Sequence, residues 1–354
     1  MNHFERIAGS LTGRGLDAMV VTSAPGEFYA AGFHGEGVAL ITPSESWYWT
    51  DSRYIEAAGQ LVSGAHVSMP GTGVGYRRLV SELVDKLGLK RVGFEDEYMS
   101  VAEFSLWKEA VKAELVPASG LLTDLRMVKD ADELAAMKEA QRVTDEAFTE
   151  ILNDIKPGVT EREIAAKLTY LMARKGAERN SFDPIVATGA NGSKPHAVPG
   201  ATLINKGQFV TMDFGCVVGG YSSDMTRTVA VGQPSEEMDL VYHTVLKAQL
   251  TGIAAVHAGV TGSEVHKAAA DVIAAAGYGE YFGHGFGHSL GIEIHENPRF
   301  SPFWEKPIPA GACLSAEPGI YLPGKFGVRI EDVVMITDTG CIDITHSPKE
   351  LIIL

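Results

Sequence analysis

The sequence predicts an α+β fold of two domains, the larger one assembled from two related halves. Three observations carry this: a change of hydrophobic period near residue 129, a short motif that recurs 101 positions later, and acidic residues set inside apolar, strand-like runs. A length of 354 residues fits about two domains, and 45% hydrophobic content is enough to bury a core without disulfides. The 45 acidic and 30 basic residues leave a net charge of −15, which argues against a nucleic-acid partner and fits a soluble enzyme. Cys216, Cys313 and Cys341 lie far apart with no CxxC pair, so neither a disulfide framework nor a zinc ribbon is indicated. The N-terminus lacks the unbroken apolar stretch of a signal peptide, and no run is long enough to span a bilayer. A cytoplasmic protein with no membrane partner is expected.

Residues 1–124 alternate short helical and strand-like stretches and read as a small α/β domain. Phe4, Ile7 and Leu11 recur at helical spacing. DAMVVTS, GVALITP, SWYWT and RVGFED are strand-like, and LVSELVDKLG is a second helix. Asp51, Arg53 and Tyr54 in TDSRY form a polar knot whose simplest role is a loop-stabilising ion pair.

From Lys129 the pattern becomes one long helix, with Leu134, Met137, Phe148, Ile151 and Ile155 near helical spacing until Pro157 and Gly158 end it. This change puts the second domain at 125–354. Within it Gly158, Val159, Thr160 and Glu163 recur as Gly259, Val260, Thr261 and Glu264. Each Thr-x-x-Glu is a capping box that opens a helix, and Gly176 and Gly277 close the two helices at the same separation. A longer helix precedes each copy, at about 129–155 and 236–257. A histidine-bearing, strand-like stretch and two acid-bearing strands follow. Two such copies facing each other across a pseudo-two-fold bring both acidic hairpins to one centre, with helices outside and strands inside.

Asp213 in FVTMDFG, Asp224 in SSDMTRTVAV, Glu317 in CLSAEPGIY and Glu331 in GVRIEDVVMI are acids inside apolar strands. There they repel one another and lose hydration unless a cation neutralises them. Asp213 and Asp224 flank a loop with Gly215, Gly219 and Gly220, while Glu317 and Glu331 flank a turn through Gly324 and Gly327. Antiparallel pairing sets each pair close. With His288 they make an oxygen-rich set that suits manganese or another borderline divalent ion, and five ligands match two ions. Solvated strand ends paired with Arg227 and Arg329 would account for a lone acid, not for four acids and a histidine in this arrangement.

HGFGHSLGIEIHE, residues 284–296, holds two rival motifs. Gly287 to Gly291 satisfies the G-x-S-x-G of serine hydrolases, but that elbow needs a helix after Ser289, and the alternating GIEIHE reads as strand. His284 and His288 make a zinc pair only on a helix, which Gly283, Gly285 and Gly287 oppose. The glycines fit backbone packed close to a ligand instead. His196 ends the strand-like stretch of the first copy as His295 ends that of the second, so both border the expected metal centre and can donate hydrogen bonds to a developing oxyanion.

Together, HGFGHSLGIEIHE, MDFG, SSDMTRT, AEPGIY and RIED resemble the pita-bread metallopeptidases, and within them the proline-specific branch of aminopeptidase P and Xaa-Pro dipeptidase (prolidase). The resemblance covers the whole second domain. The first domain, through TDSRY, more weakly resembles the creatinase-type amino-terminal domain. What this implies is a pita-bread fold and an Xaa-Pro aminopeptidase that cleaves between an N-terminal residue and proline. An Xaa-Pro dipeptidase restricted to dipeptides, or a non-catalytic binding module on the same fold, are the alternatives. By the same resemblance Asp213, Asp224, His288, Glu317 and Glu331 hold two manganese ions, or cobalt or zinc in their place. Glu317 also shuttles a proton, and His196, His284 and His295 face the substrate. Phe182 in SFDPIVATG resembles a hydrophobic pocket residue that reads the proline ring. Arg299 in HENPR resembles an arginine that holds a dipeptide's carboxylate, and Arg329 is counted among the substrate-binding residues. Small peptides with proline at the second position, and a homodimer, complete the expectation.

Overall fold

Residues 2–354 are described by the computed structural model, and the chain divides into one unit running to Arg126 and another spanning Met127–Leu354. In the first unit the order is α1 (His3–Leu11), β1 (Ala18–Val21), α2 (Ala24–Ala31), β2 (Val38–Ile41), β3 (Ser46–Trp49), α3 (Ile55–Leu61), β4 (His66–Ser68), α4 (Tyr76–Leu87), β5 (Arg91–Phe94), α5 (Val101–Ala110), β6 (Glu114–Pro117) and α6 (Ser119–Met127). Helix α1 buries Phe4, Ile7 and Leu11, as their spacing predicts. The strands form one mixed sheet in the order β4-β3-β2-β1-β5-β6. Strands β4 and β6 escape a reading by hydrophobic pattern because they are the sheet's edges and carry exposed residues, among them His66, Ser68, Glu114 and Pro117. In TDSRY, Arg53 pairs with Asp51 at 2.6 Å and with Glu36 at 2.7 Å, and the Tyr54 hydroxyl donates to Glu36 Oε1 at 2.9 Å. These exposed groups brace a loop.

The second unit begins with α7 (Ala131–Ile151), opened by a reciprocal Asp130–Glu133 capping box. It ends at Ile151 rather than near 155, because the chain turns there and still buries Ile155 in the core. The first half continues with α8 (Glu161–Arg174), β7 (Arg179–Asn180), β8 (Ile185–Thr188), β9 (Gln208–Phe214), β10 (Cys216–Val218), β11 (Tyr221–Ser222) and β12 (Met225–Val231). The second half holds α9 (Glu236–Ala254), α10 (Gly262–Ala275), β13 (Gly287–Ser289), β14 (Glu296–Phe300), β15 (Cys313–Ala316), β16 (Gly319–Leu322), β17 (Phe326–Arg329), β18 (Asp332–Ile336) and β19 (Cys341–Asp343).

The duplication is visible bond by bond. Thr160 and Thr261 cap α8 and α10 in identical boxes, and Gly176 at φ 111° and Gly277 at φ 86° follow the two helices. Gly158 N donates to Ile204 O at 2.9 Å, and Gly259 N donates to Ile308 O at 2.8 Å. Each half packs its helices mainly on its own strands, although Phe209 and Ala230 of the first half join the core beneath α9. One core gathers Phe148, Leu168 and Met212, and the other Val245, Ile273 and Leu314. The fold is thus α+β: two pseudo-symmetric halves of a pita-bread domain, preceded in sequence by the smaller α/β unit.

Register decides how the acids meet. Strands β9 and β12 pair with Asp213 opposite Thr226, and β10 with β11 continues that ladder, so Asp224 lies diagonal to Asp213. In the second half β15–β18 ends at Ala316 opposite Asp332, and β16–β17 starts at Gly319 opposite Arg329. The same register spans the break, which sets Glu317 directly across from Glu331. The two halves meet where Thr226 Oγ1 donates to Glu331 Oε2 at 2.7 Å and Glu331 N donates to Thr226 O at 3.1 Å.

Candidate metal centre

All eleven residues singled out from the sequence line one cleft of about 520 Å³ in the second unit. Asp224 and Glu331 are buried, Asp213, His288 and Glu317 are half-buried, and His196, His295 and Arg299 stand exposed at the rim. The imidazole Nε2 of His288 lies 3.3 Å from Glu317 Oε1 and 3.7 Å from Asp224 Oδ2. Asp213 Oδ2 accepts from Arg329 Nη2 at 2.6 Å. Arg329 Nε also donates to Thr226 Oγ1 at 2.9 Å, so this one guanidinium fixes both an acid of β9 and the hydroxyl that holds Glu331.

Burial and mutual repulsion shift several ionisations here. Asp224 is pushed well above the usual carboxylate range by burial and then by the charges of Glu331, Asp213 and Glu317. Burial, followed by Glu317 and Asp213, does the same to Glu331. Burial lifts Glu317 to about 7 against the pull of Arg329. It also drives the histidines toward neutrality, His288 to about 3 and His284 to about 4, and lowers His295. Four acids and neutral imidazoles around buried Arg329 form a site short of positive charge, since buried Arg227 is taken up by Asp332.

The side chains present fit a divalent cation. One ligand atom from each of Asp224, His288 and Glu331 lies within 4.8 Å of the other two. Asp213 Oδ1, Asp224 Oδ1 and Glu331 Oε1 are buried and accept no hydrogen bond among the described residues. Orphaned carboxylate oxygens are costly to bury, and a cation between them removes that penalty. Asp213 and Glu317 flank the compact trio rather than join it, the first held by Arg329 and the second by Ser315 Oγ, which donates to Glu317 Oε1 at 3.0 Å.

Several supporting residues escape a sequence reading. The Tyr321 hydroxyl lies 3.0 Å from His284 Nε2 and accepts from Arg329 Nη1 at 2.9 Å. Thr226 and Ser315 sit two positions from Asp224 and Glu317, so strand alternation was the available signal. Behind the histidines, the buried ammonium of Lys129 lies 3.2 Å from both Glu296 Oε2 and Ser289 Oγ. Ser289 and Glu296 are cross-strand partners that follow His288 and His295, whose rings are 4.4 Å apart. Lys129 therefore clamps the far face of the strand pair that carries both imidazoles. Buried Arg227 ties the backbone carbonyl of Glu331 to Asp332, with a 2.7 Å ion pair to the latter.

Two local expectations need correction. Residues 290–295 are not strand. Ser289 pairs with Glu296, so the alternating GIEIH is consumed by the connection between β13 and β14, and His295 precedes a strand instead of ending one. His196 likewise lies past β8 and a short 3₁₀ turn at Gly189–Ser193, not at a strand end. Both still line the cleft. Ser289 is fully buried and donates to Cys313 O at 2.8 Å with no helix after it, as rejection of the serine-nucleophile motif requires.

Comparison with known proteins follows the same division. The model of metallopeptidase family M24 matches residues 135–338, and that of the creatinase/prolidase N-terminal domain matches residues 4–128. The chain is 34% identical over 340 residues to an Xaa-Pro dipeptidase of Pyrococcus horikoshii, covering 95% of each. Among solved structures, an Xaa-Pro dipeptidase from Bacillus anthracis superposes with a TM-score of 0.96 at 41% identity, over 99% of both chains. An X-Pro aminopeptidase from Thermotoga maritima gives 0.92 at 34% identity, over 96% of this chain and 98% of that one. An acid-rich centre built between two related halves, and agreement of this extent along the sequence, make the chain a member of metallopeptidase family M24.

Proposed function

We propose that this metallopeptidase is an Xaa-Pro aminopeptidase, hydrolysing the bond between an N-terminal residue and proline with two divalent ions, manganese first among them. The observation that carries the reading is the convergence of Asp213, Asp224, His288, Glu317 and Glu331 on one cleft with three orphaned buried oxygens among them. Proline specificity draws its support from relatives named as Xaa-Pro dipeptidases and X-Pro aminopeptidases.

When bound between these ligands, the ions supply Lewis acidity and lower the pKa of water. Glu317, at the edge of the ligand set and held by Ser315 Oγ at 3.0 Å, takes the proton of the attacking water and returns it to the prolyl nitrogen as the C–N bond breaks. His196 and His295 at the rim donate hydrogen bonds to the oxyanion on the former carbonyl. Arg329 holds Asp213 in place at 2.6 Å. The imide has no N–H to recognise, so ring shape must be read, by Phe182 with His284 opposite Tyr321. Atoms balance: water gives a hydroxyl to the new carboxylate and a proton to the new amine.

A second reading, the dipeptidase, is favoured by Arg299. Its guanidinium lines the cleft and makes no hydrogen bond or ion pair among the described residues, which leaves it available for a terminal carboxylate. No described helix is long and apolar enough to cross a membrane. A cytoplasmic homodimer belongs to the same proposal. Stripping metal from the protein should abolish hydrolysis of Ala-Pro-Ala, and Mn²⁺ should restore it. Undiminished turnover in the stripped protein sinks the proposal.

A further inference from the structure

Beside the cleft, across Arg299, lies a second cavity of about 650 Å³. The two share a wall made by His284, Gly285, Arg299 and Ser301. The second cavity is also lined by Phe282, Phe303 and Trp304, and by no carboxylate among the described residues. In a chain of net charge −15, a cavity free of acids beside an unpaired arginine is a distinct chemical environment. His284 stands edge-on to Phe282 at 5.1 Å, and Phe282 stacks on His266 at 5.4 Å, so an unbroken ring surface leads outward from the centre. Phe303, in the turn after β14, is 90% exposed. Its phenyl ring contributes nothing to the core, yet it borders this cavity.

The inference rests on the exopeptidase reading. Only one residue precedes the scissile bond, so a longer peptide has one direction in which to extend, beyond the proline. The neighbouring cavity, which shares Arg299 and Ser301 with the cleft, lies in that direction. We propose that the second cavity seats the third residue of the substrate and selects an apolar, above all aromatic, side chain there, with Phe303 and Trp304 as the specificity-determining walls. The substrate class becomes Xaa-Pro peptides of three or more residues with an aromatic or large aliphatic third residue.

The test compares kcat/KM for Ala-Pro-Phe and Ala-Pro-Ala in the Mn²⁺-loaded protein and in Phe303→Ser, a change at an exposed position. The wild type should favour Ala-Pro-Phe by about tenfold, the scale on which an apolar pocket discriminates, and Phe303→Ser should cut this to about twofold through loss on Ala-Pro-Phe. Titrating the products Pro-Phe and Pro-Ala reads the same cavity without turnover, with Pro-Phe tighter in the wild type alone. Equal handling of both tripeptides and both products overturns the inference. So does a Phe303→Ser protein that keeps its preference but sediments differently, which would make Phe303 a contact between copies of the chain. A protein that cleaves none of these peptides but still binds Pro-Phe more tightly would refute the proposed reaction and leave the subsite standing.

Discussion

Glu317→Gln should stabilise the metal-free protein at alkaline pH and not at acid pH. Burial raises the Glu317 carboxyl from an ordinary 4.5 to about 7 in the folded chain. With the folded-state value raised, its contribution is fully present below about pH 4.5 and is lost as pH climbs through 7. At about 1.4 kcal/mol per pH unit between the two values, the folded metal-free chain gives up about 3 kcal/mol by pH 8. The side chain is only 17% exposed, so solvent screening takes little away. Glutamine keeps an oxygen for Ser315 to donate to and removes the titration. His284 and His288, driven to about 4 and about 3, destabilise in the opposite sense as pH falls, but His288, which lies 3.3 Å from Glu317, stays neutral in the folded chain from about pH 4 to pH 8 and so couples little to the substitution. Urea unfolding of wild type and Glu317→Gln, both dialysed against chelator, should give curves that coincide near pH 4 and diverge by about 3 kcal/mol at pH 8. Adding Mn²⁺ should reverse the order, because the wild type alone keeps its full ligand set. A difference that does not vary with pH, or a less stable metal-free variant at pH 8, would refute the picture of an uncompensated buried acid.

Lys129→Met should cost about 3 kcal/mol in urea unfolding, since it leaves Glu296 buried beside a methyl group, and it should weaken Mn²⁺ binding by loosening the strands of His288 and His295; an unchanged unfolding midpoint counts against the clamp. Arg299→Ala should lower kcat/KM for Ala-Pro about tenfold, the worth of a charge-assisted hydrogen bond pair, and spare the amide Ala-Pro-NH₂. Equal losses on acid and amide would leave Arg299 without a carboxylate to hold.

Much of the fold was readable because its signals are local. Thr160 and Thr261 each announce a helix through a box closed within four residues, and Gly176 and Gly277 announce its end through a left-handed turn. The acids were readable because a carboxylate inside FVTMDF or GVRIED contradicts its surroundings. Strands β4 and β6 were not readable, since an edge strand with exposed residues has no apolar alternation. GIEIHE misled for the opposite reason. Its alternation is real, but the pairing of Ser289 with Glu296 turns the first five residues into a connection, and no local rule foretells where a hairpin closes.

The sequence by itself determined which chemistry is present: a duplicated motif, four acids and a histidine that cannot be buried without a cation, and a charge balance unsuited to nucleic acid. Only the tertiary structure decided how those groups meet. It set Glu317 opposite Glu331 but Asp213 diagonal to Asp224, enlisted Arg329, Thr226 and Tyr321 from different strands, and hid Lys129 behind two histidines more than 150 positions away. Composition and local spacing fix which side chains exist and which helices and strands they favour. Register and packing between distant strands fix which of them share a dielectric and a cavity, and that is where their reactivity is set.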